Sequence, residues 1–134
     1  MILGVDVGTH RIGIAAAHEE TRFAHPVEVI AVDESDPIQR IAELVTEMEI
    51  ATVVVGRPTS LSGDAGRAVA TQSEFLAALR DAVEVDVVEY DERLTTVVAD
   101  QGLRAAGTKR SAQKGLRDAL AAQIMLQGYL DSTR

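Results

Sequence analysis

The sequence predicts an α/β protein built on a mixed sheet, antiparallel at its start and parallel afterwards. Three observations carry this. Two apolar, β-branched runs, 2–7 (ILGVDV) and 11–17 (RIGIAAA), are separated by a very short connection and read as a hairpin. Two later runs, 52–56 (TVVVG) and 85–90 (VDVVEY), are continuously apolar or nearly so, the pattern of strands covered on both faces. Segments of helical periodicity stand between and after these strands, which is how parallel strands are joined.

Taken in order, the hairpin is followed by a third strand around 26–32, where Val27, Val29 and Ala31 alternate with other side chains. A helix is expected to open at Asp36-Pro37, a capping residue followed by proline in the first helical position. Ile38, Ile41, Leu44, Val45 and Met48 give that helix one apolar face. The polar stretch 57–67 (RPTSLSGDAGR) reads as a loop, and 68–82 as a second helix carrying Val69, Phe75, Leu76 and Leu79. After the strand 85–90, Thr95 or Thr96 caps a third helix running to about Ala106. Gly107 to Lys114 read as a basic connection, and a last helix covers roughly 115–130. No repeat, linker or low-complexity tract interrupts the 134 residues, so residues 1–134 are expected to form one domain.

Composition narrows the function. With 46% hydrophobic and 25% charged residues the chain reads as globular, and no apolar run approaches the length of a membrane span. The N-terminus has no basic region ahead of its apolar stretch, and it already carries Asp6. A signal peptide is not expected, and a cytoplasmic protein is. The absence of cysteine excludes disulfides, thiolate metal sites and thiol nucleophiles. A net charge of −8 argues against a general affinity for nucleic acid, but the charge is unevenly placed. Nine acidic and two basic residues lie between Glu19 and Glu49. Arg104, Lys109, Arg110, Lys114 and Arg117 form a stretch without a single acidic residue. That stretch is either a solvated surface or a local phosphate-binding face. Aromatic residues make up only 3%, so any recognition of nucleic acid should rest on backbone and shape rather than base stacking.

Three acidic residues stand out. Asp6 ends an apolar strand, where a carboxylate is costly unless paired or bound to a cation. Gly8-Thr9 behind it allow a tight turn with backbone N–H groups near a ligand. Glu92 belongs to the triplet Asp91-Glu92-Arg93, at the carboxyl end of a strand, where open α/β sheets place their ligands. Asp118 lies early in an alanine- and leucine-rich helix, beside a face that ought to be packed. Each also has a local explanation: a capped turn, a helix N-terminus, a first-turn acid complementing the dipole. The three histidines, His10, His18 and His25, have no metal-binding spacing. The layered architecture brings the three carboxylates to one edge. Oxygen ligands of this kind suit Mg²⁺ or Mn²⁺, and two such ions activate a water and stabilise the leaving oxygen of a phosphodiester.

The segments GVDVGTHRIGIA (4–15), VVVGRP with LSG (53–63), DERLTT (91–96) and DALAAQIMLQGYL (118–130) resemble, in order and over essentially the whole chain, the YqgF/RuvX family. DERLTT together with the opening D-x-G-T-x-x-I-G is a specific combination. The resemblance implies an RNase H-like five-stranded sheet, three antiparallel strands followed by two parallel ones, with helices on both faces. It implies Asp6, Glu92 and Asp118 as catalytic metal ligands, and a nuclease that processes the 5′ end of pre-16S rRNA. The chain departs from the family at His10, where lysine is frequent, and at Arg57 and Arg117, where aliphatic residues are frequent. Each departure alters charge near the expected site and touches phosphate contacts rather than the carboxylates. Thr9, Arg11, Arg93, Lys109, Arg110 and Lys114 are the expected nucleic-acid contacts.

Three other functions fit parts of the sequence. Resolution of four-way DNA junctions uses the same chemistry but needs two symmetric sites, hence a homodimer rather than a monomer. A non-catalytic module binding RNA or a ribosomal precursor particle would leave the carboxylates unexplained. An actin-like or kinase-like nucleotide-binding domain shares D-x-G-T but needs a second domain, for which 134 residues leave no room.

Overall fold

A computed structural model describes residues 1–8, 10–32, 34, 36–57, 65–91 and 110–133, with 57, 65–71, 91 and 110–119 placed by backbone alone. Five strands make one sheet: β1 (Ile2–Val7), β2 (Arg11–Ala17), β3 (Ala24–Ala31), β4 (Thr52–Arg57) and β5 (Asp86–Asp91), in the order β3-β2-β1-β4-β5. β1–β2 and β2–β3 pair antiparallel, whereas β1–β4 and β4–β5 pair parallel. Three antiparallel strands followed by two parallel ones is the RNase H-like arrangement that the family resemblance implies. Among the described residues three helices accompany the strands: α1 (Pro37–Glu47), α2 (Ala65–Ala82) and α3 (Arg110–Ser132).

The period-2 geometry of strands sorts the apolar side chains into two layers. Leu3, Val5, Ile12, Ile14, Val53 and Val55 face one side, where Ile41 and Leu44 of α1 and Leu76 and Leu79 of α2 cover them. Ala15, Ala17 and Val54 face the other, under Ala122, Met125, Leu126 and Leu130 of α3. β4 is therefore buried on both faces, as its unbroken valine run predicts. β5 is not: it is the outer strand, with Val87 buried but Asp86 and Glu89 exposed. The alternation expected in β3 also fails, because the register shifts there: Ile14 pairs with Glu28 but Ala15 with Pro26. That bulge lets Val27 and Ile30, three residues apart, contribute to the same core layer.

α1 begins where its cap predicts. The Asp36 carboxylate accepts from the backbone N–H groups of Ile38 (3.1 Å) and Gln39 (3.3 Å), and Pro37 fills the first helical position. Arg40 ties the helix to β3 through a paired contact with Glu28, at 3.0 Å from Nε and 2.8 Å from Nη2. Two boundaries differ from the sequence reading. α2 starts at Ala65, inside the stretch read as loop. α3 starts at Arg110, so Arg110 and Lys114 stand on the helix and not in a connection before it. The helix expected from Thr95 or Thr96 to Ala106 lies outside the described residues.

The end of α3 is fixed to the start of β3. Gln127 accepts from the Ala24 N–H (2.9 Å) and donates to the Arg22 carbonyl (3.0 Å), while Gln123 donates to the Ala24 carbonyl (3.0 Å). Arg22, with left-handed backbone (φ 56°), donates to the Leu130 carbonyl and to Thr133. About three-quarters of the way along the helix, α3 comes so near β1 that a Cβ on Gly4 would lie 2.9 Å from the Leu126 Cβ. Among the described residues no helix is long and apolar enough to cross a membrane.

Candidate active site

Asp6 sits at the carboxyl end of β1, half-buried, in the row next to the end of the strand. Leu3 and Val5 face the α1/α2 side, so alternation puts Asp6 on the α3 side, with Ile2 and Gly4. Its register partners are Gly13 on β2 and Gly56 on β4. Neither has a side chain, so the neighbouring positions on both adjoining strands leave room around the carboxylate. Glycine inside a strand weakens it, and a close-approaching ligand is one reason to keep it there. On the opposite side of the sheet, Gln72 of α2 is buried and its Nε2 donates to the Gly56 carbonyl (3.1 Å), which anchors the end of β4 beside Asp6.

The hairpin after Asp6 is tight. The Gly8 N–H donates to the Arg11 carbonyl at 2.9 Å, and a Cβ on Gly8 would lie 2.5 Å from that same oxygen. Only glycine fits without moving the backbone. The Val32 N–H donates to the His10 carbonyl (3.0 Å), so β3 steadies the turn from its other flank. Arg11, half-buried at the first position of β2, stands at the same edge as Asp6.

α3 comes to this edge from the far end of the sheet. Its last turns lie over Arg22 and Ala24, at the opposite end, so its earlier turns run towards the carboxyl ends of β1, β4 and β5. From the Gly4–Leu126 contact, Asp6 lies two residues along β1, about 7 Å. Asp118 lies eight residues back along α3, about 12 Å in the same sense. Asp118 is one turn before buried Ala122 and two turns before buried Met125, and Lys114 is one turn before Asp118. β5 ends at Asp91, whose register partner is Arg57, two ladder spacings or about 10 Å from β1.

The topology thus brings Asp6, Arg11 and the backbone positions of Lys114 and Asp118 to one side and one edge, with Arg110 a turn further along α3. Thr9, Glu92, Arg93 and Lys109 lie outside the described residues, although β5 delivers the chain to Glu92 directly after Asp91. Among the described residues no group of three or more His, Asp or Glu side chains is close enough to hold a metal ion. Sequence reasoning missed Gly13, Gly56 and Gln72. A signal was present for Gly13, which interrupts an apolar strand with no turn following it; Gly56 was masked by the loop read directly after it.

A mixed sheet of this order, with a carboxylate at the end of its central strand and a helix crossing that face, is an RNase H-like fold. Fold comparison agrees. The RuvC of T. thermophilus in complex with a Holliday junction matches over 98% of this chain and 94% of its own, with a TM-score of 0.57 at 20% identity. The Holliday junction resolvase of fowlpox virus matches over 98% of both chains, with a TM-score of 0.51 at 12% identity. Closer relatives are found by sequence. A protein of Chloroflexus aggregans named "Putative pre-16S rRNA nuclease" is 42% identical, covering 99% of this chain and 94% of its own length. One of the same name from Acetivibrio thermocellus is 40% identical, covering 98% and 95%. The family model RuvX, described as Holliday junction resolvase, matches residues 1–132. The chain belongs to the RuvX (YqgF) family.

Proposed function

We propose that residues 1–134 act as one metal-dependent nuclease domain that hydrolyses phosphodiester bonds in the cytoplasm, processing the 5′ end of pre-16S rRNA. The observation that carries this reading is Asp6, a carboxylate between two glycines at the edge to which α3 and β5 lead. Asp6, Glu92 and Asp118 would hold Mg²⁺ or Mn²⁺: an all-oxygen donor set suits these hard ions, and with glycine at both register positions no side chain of Gly13 or Gly56 competes for the space beside Asp6. Bound there in a pair, such ions supply an activated water and charge stabilisation at the leaving oxygen. The chain's own share is to hold the carboxylates on rigid elements and to guide a polyanion to them. Purified protein is expected to cleave a matched precursor RNA in Mg²⁺ or Mn²⁺, to stop in EDTA and to resume when the metal is restored. Undiminished cleavage in chelator would overturn the metal requirement. The carboxylates must be ionised to bind, so activity should fall as pH drops towards their pKa range.

A second reading is favoured by the family's description and by the junction-bound neighbour: resolution of four-way DNA as a homodimer. Running junction DNA beside the precursor RNA separates the two, and a symmetric pair of nicks in junction DNA alone would select the second.

The substrate is proposed to approach over the first turns of α3. Thr9, Arg11 and Arg93 would serve nearest the scissile phosphate, and Lys109, Arg110 and Lys114 further out. With Arg110 and Lys114 on a helix rather than a loose connection, their spacing is fixed at one turn. Replacing Lys109, Arg110 and Lys114 together by alanine, in a cleavage-dead background, is expected to flatten the dependence of log affinity on log salt. The slope should change by roughly 0.7–0.9 for each phosphate that is no longer neutralised. An unchanged slope would move the nucleic-acid path to the 57–67 segment.

A further inference from the structure

We propose that Tyr90 is a positioning residue, a strut that sets the distance between the strand leading to Glu92 and the helix carrying Asp118. The proposal rests on the metal-site reading above and deepens it. Tyr90 is the last residue but one of β5, two residues before Glu92. It lies in register with Gly56, which lies in register with Asp6, so the three form one row across the sheet.

Among the described residues β5 has a neighbouring strand on one side only, and α3 packs chiefly over β2 and β3 at the other end of the sheet. The described side chains of β5 that join the α3 core layer are Val88 and Tyr90. Tyr90 reaches furthest. Its ring meets Tyr129 edge-on, with centroids 6.0 Å apart and planes at 80°. Its hydroxyl lies 3.0 Å from where a Cβ on Gly128 would be. A glycine within a helix is destabilising relative to alanine, and here it has a physical reason: it admits the tip of Tyr90. The contact has steric limits on both sides. A shorter side chain at 90 leaves a void under the helix, and a larger one at 128 pushes on the hydroxyl.

A metal site shared by Glu92 and Asp118 depends on this separation, because among the described residues no backbone hydrogen bond joins β5 to α3. Residues that orient metal ligands typically alter metal affinity about 10–100-fold when removed. The test is calorimetric titration of the whole protein with Mn²⁺, alongside the Mg²⁺ concentration giving half-maximal cleavage. Tyr90→Ala is expected to weaken Mn²⁺ binding about tenfold or more and to raise the Mg²⁺ requirement in step. Tyr90→Phe, which keeps the ring, should stay within about twofold of the wild type, a gap no wider than ordinary scatter between variants. Gly128→Ala should weaken binding, and adding Tyr90→Phe should restore it, since the atom in the way is the hydroxyl.

Leu44→Ala is the control: it hollows the core layer on the other face of the sheet, under α1, and should cost stability while leaving Mn²⁺ affinity as it was. Should Tyr90→Ala fail to fold, the pair Gly128→Ala and Gly128→Ala with Tyr90→Phe decides the matter. Wild-type Mn²⁺ affinity in the Tyr90→Ala and Gly128→Ala proteins, with Asp6→Asn defective, would overturn the strut and leave the metal site standing. Equal Mn²⁺ uptake by the wild type and Asp6→Asn would overturn both.

Discussion

Asp6→Asn is expected to remain folded and to lose cleavage by about a thousandfold or more, equivalent to roughly 4 kcal/mol of transition-state stabilisation. The substitution keeps the size of the side chain and its place between Gly13 and Gly56, but it removes the charge that would attract a divalent cation. Glu92→Gln and Asp118→Asn should be equally damaging, since the three act as one ligand set whose members do not contribute additively. Thermal stability in the absence of metal is expected to hold or rise in each variant, because one of three mutually repelling carboxylates has gone. Single-turnover cleavage at saturating metal and a melting curve decide the matter. Substantial activity in any one variant removes that residue from the site, and a collapsed fold would make Asp6 structural instead.

The largest expected effect on stability comes from Gly4. A methyl group there would meet the Leu126 Cβ at 2.9 Å, an atom fixed directly to the helix backbone, so no rotamer change relieves the clash. Overpacking of this kind costs about 1–3 kcal/mol, against a gain of about 0.4–1 kcal/mol from restricting the unfolded chain. Gly4→Ala should therefore be measurably destabilised, and Gly4→Leu by about 3 kcal/mol or more. Leu126→Ala alone leaves a cavity costing about 2–5 kcal/mol. Combined with Gly4→Ala its cost should fall only slightly below the sum, because alanine at 126 removes the side-chain atoms at 3.3 and 3.4 Å but keeps the Cβ at 2.9 Å. Denaturant melts of the four proteins test this. A Gly4→Ala protein as stable as the wild type would mean that strand and helix are not in contact at this point. Lifting α3 from β1 would also carry Asp118 away from Asp6, so Gly4→Ala should raise the metal requirement too.

The order of elements and the hairpin at the start were legible because they rest on local periodicity and turn chemistry. Asp36-Pro37 marked the start of α1 to the residue, since the cap and the proline act through bonds to their own neighbours. The start of α3 was read too late: Gly107 and three positive charges suggested a connection, yet arginine, alanine, glutamine and lysine all favour a helix. The bulge in β3 escaped notice because one extra residue shifts the alternation without leaving a mark in composition. Asp6 was visible as a charge where none should be. That its partners on the two adjoining strands are glycines depends on register, which spacing along the chain does not reveal. The pairing of Tyr90 with Gly128 is hidden for the same reason, since neither residue is unusual until the other is known.

The bonds from Arg22 and Ala24 to α3 join residues 99 to 108 positions apart, and they close late in synthesis. Loops of that length are slow to close, and contacts so distant in sequence delay folding. As the chain leaves the ribosome, the hairpin and β4 can form while α1 and α2 cover one side. Ala15, Ala17 and Val54 must wait, exposed, until α3 has emerged. The element that completes the proposed catalytic edge is thus also the one that ends the exposure of a sticky surface. A nascent molecule would be open to aggregation for as long as it lacked the means to cut nucleic acid.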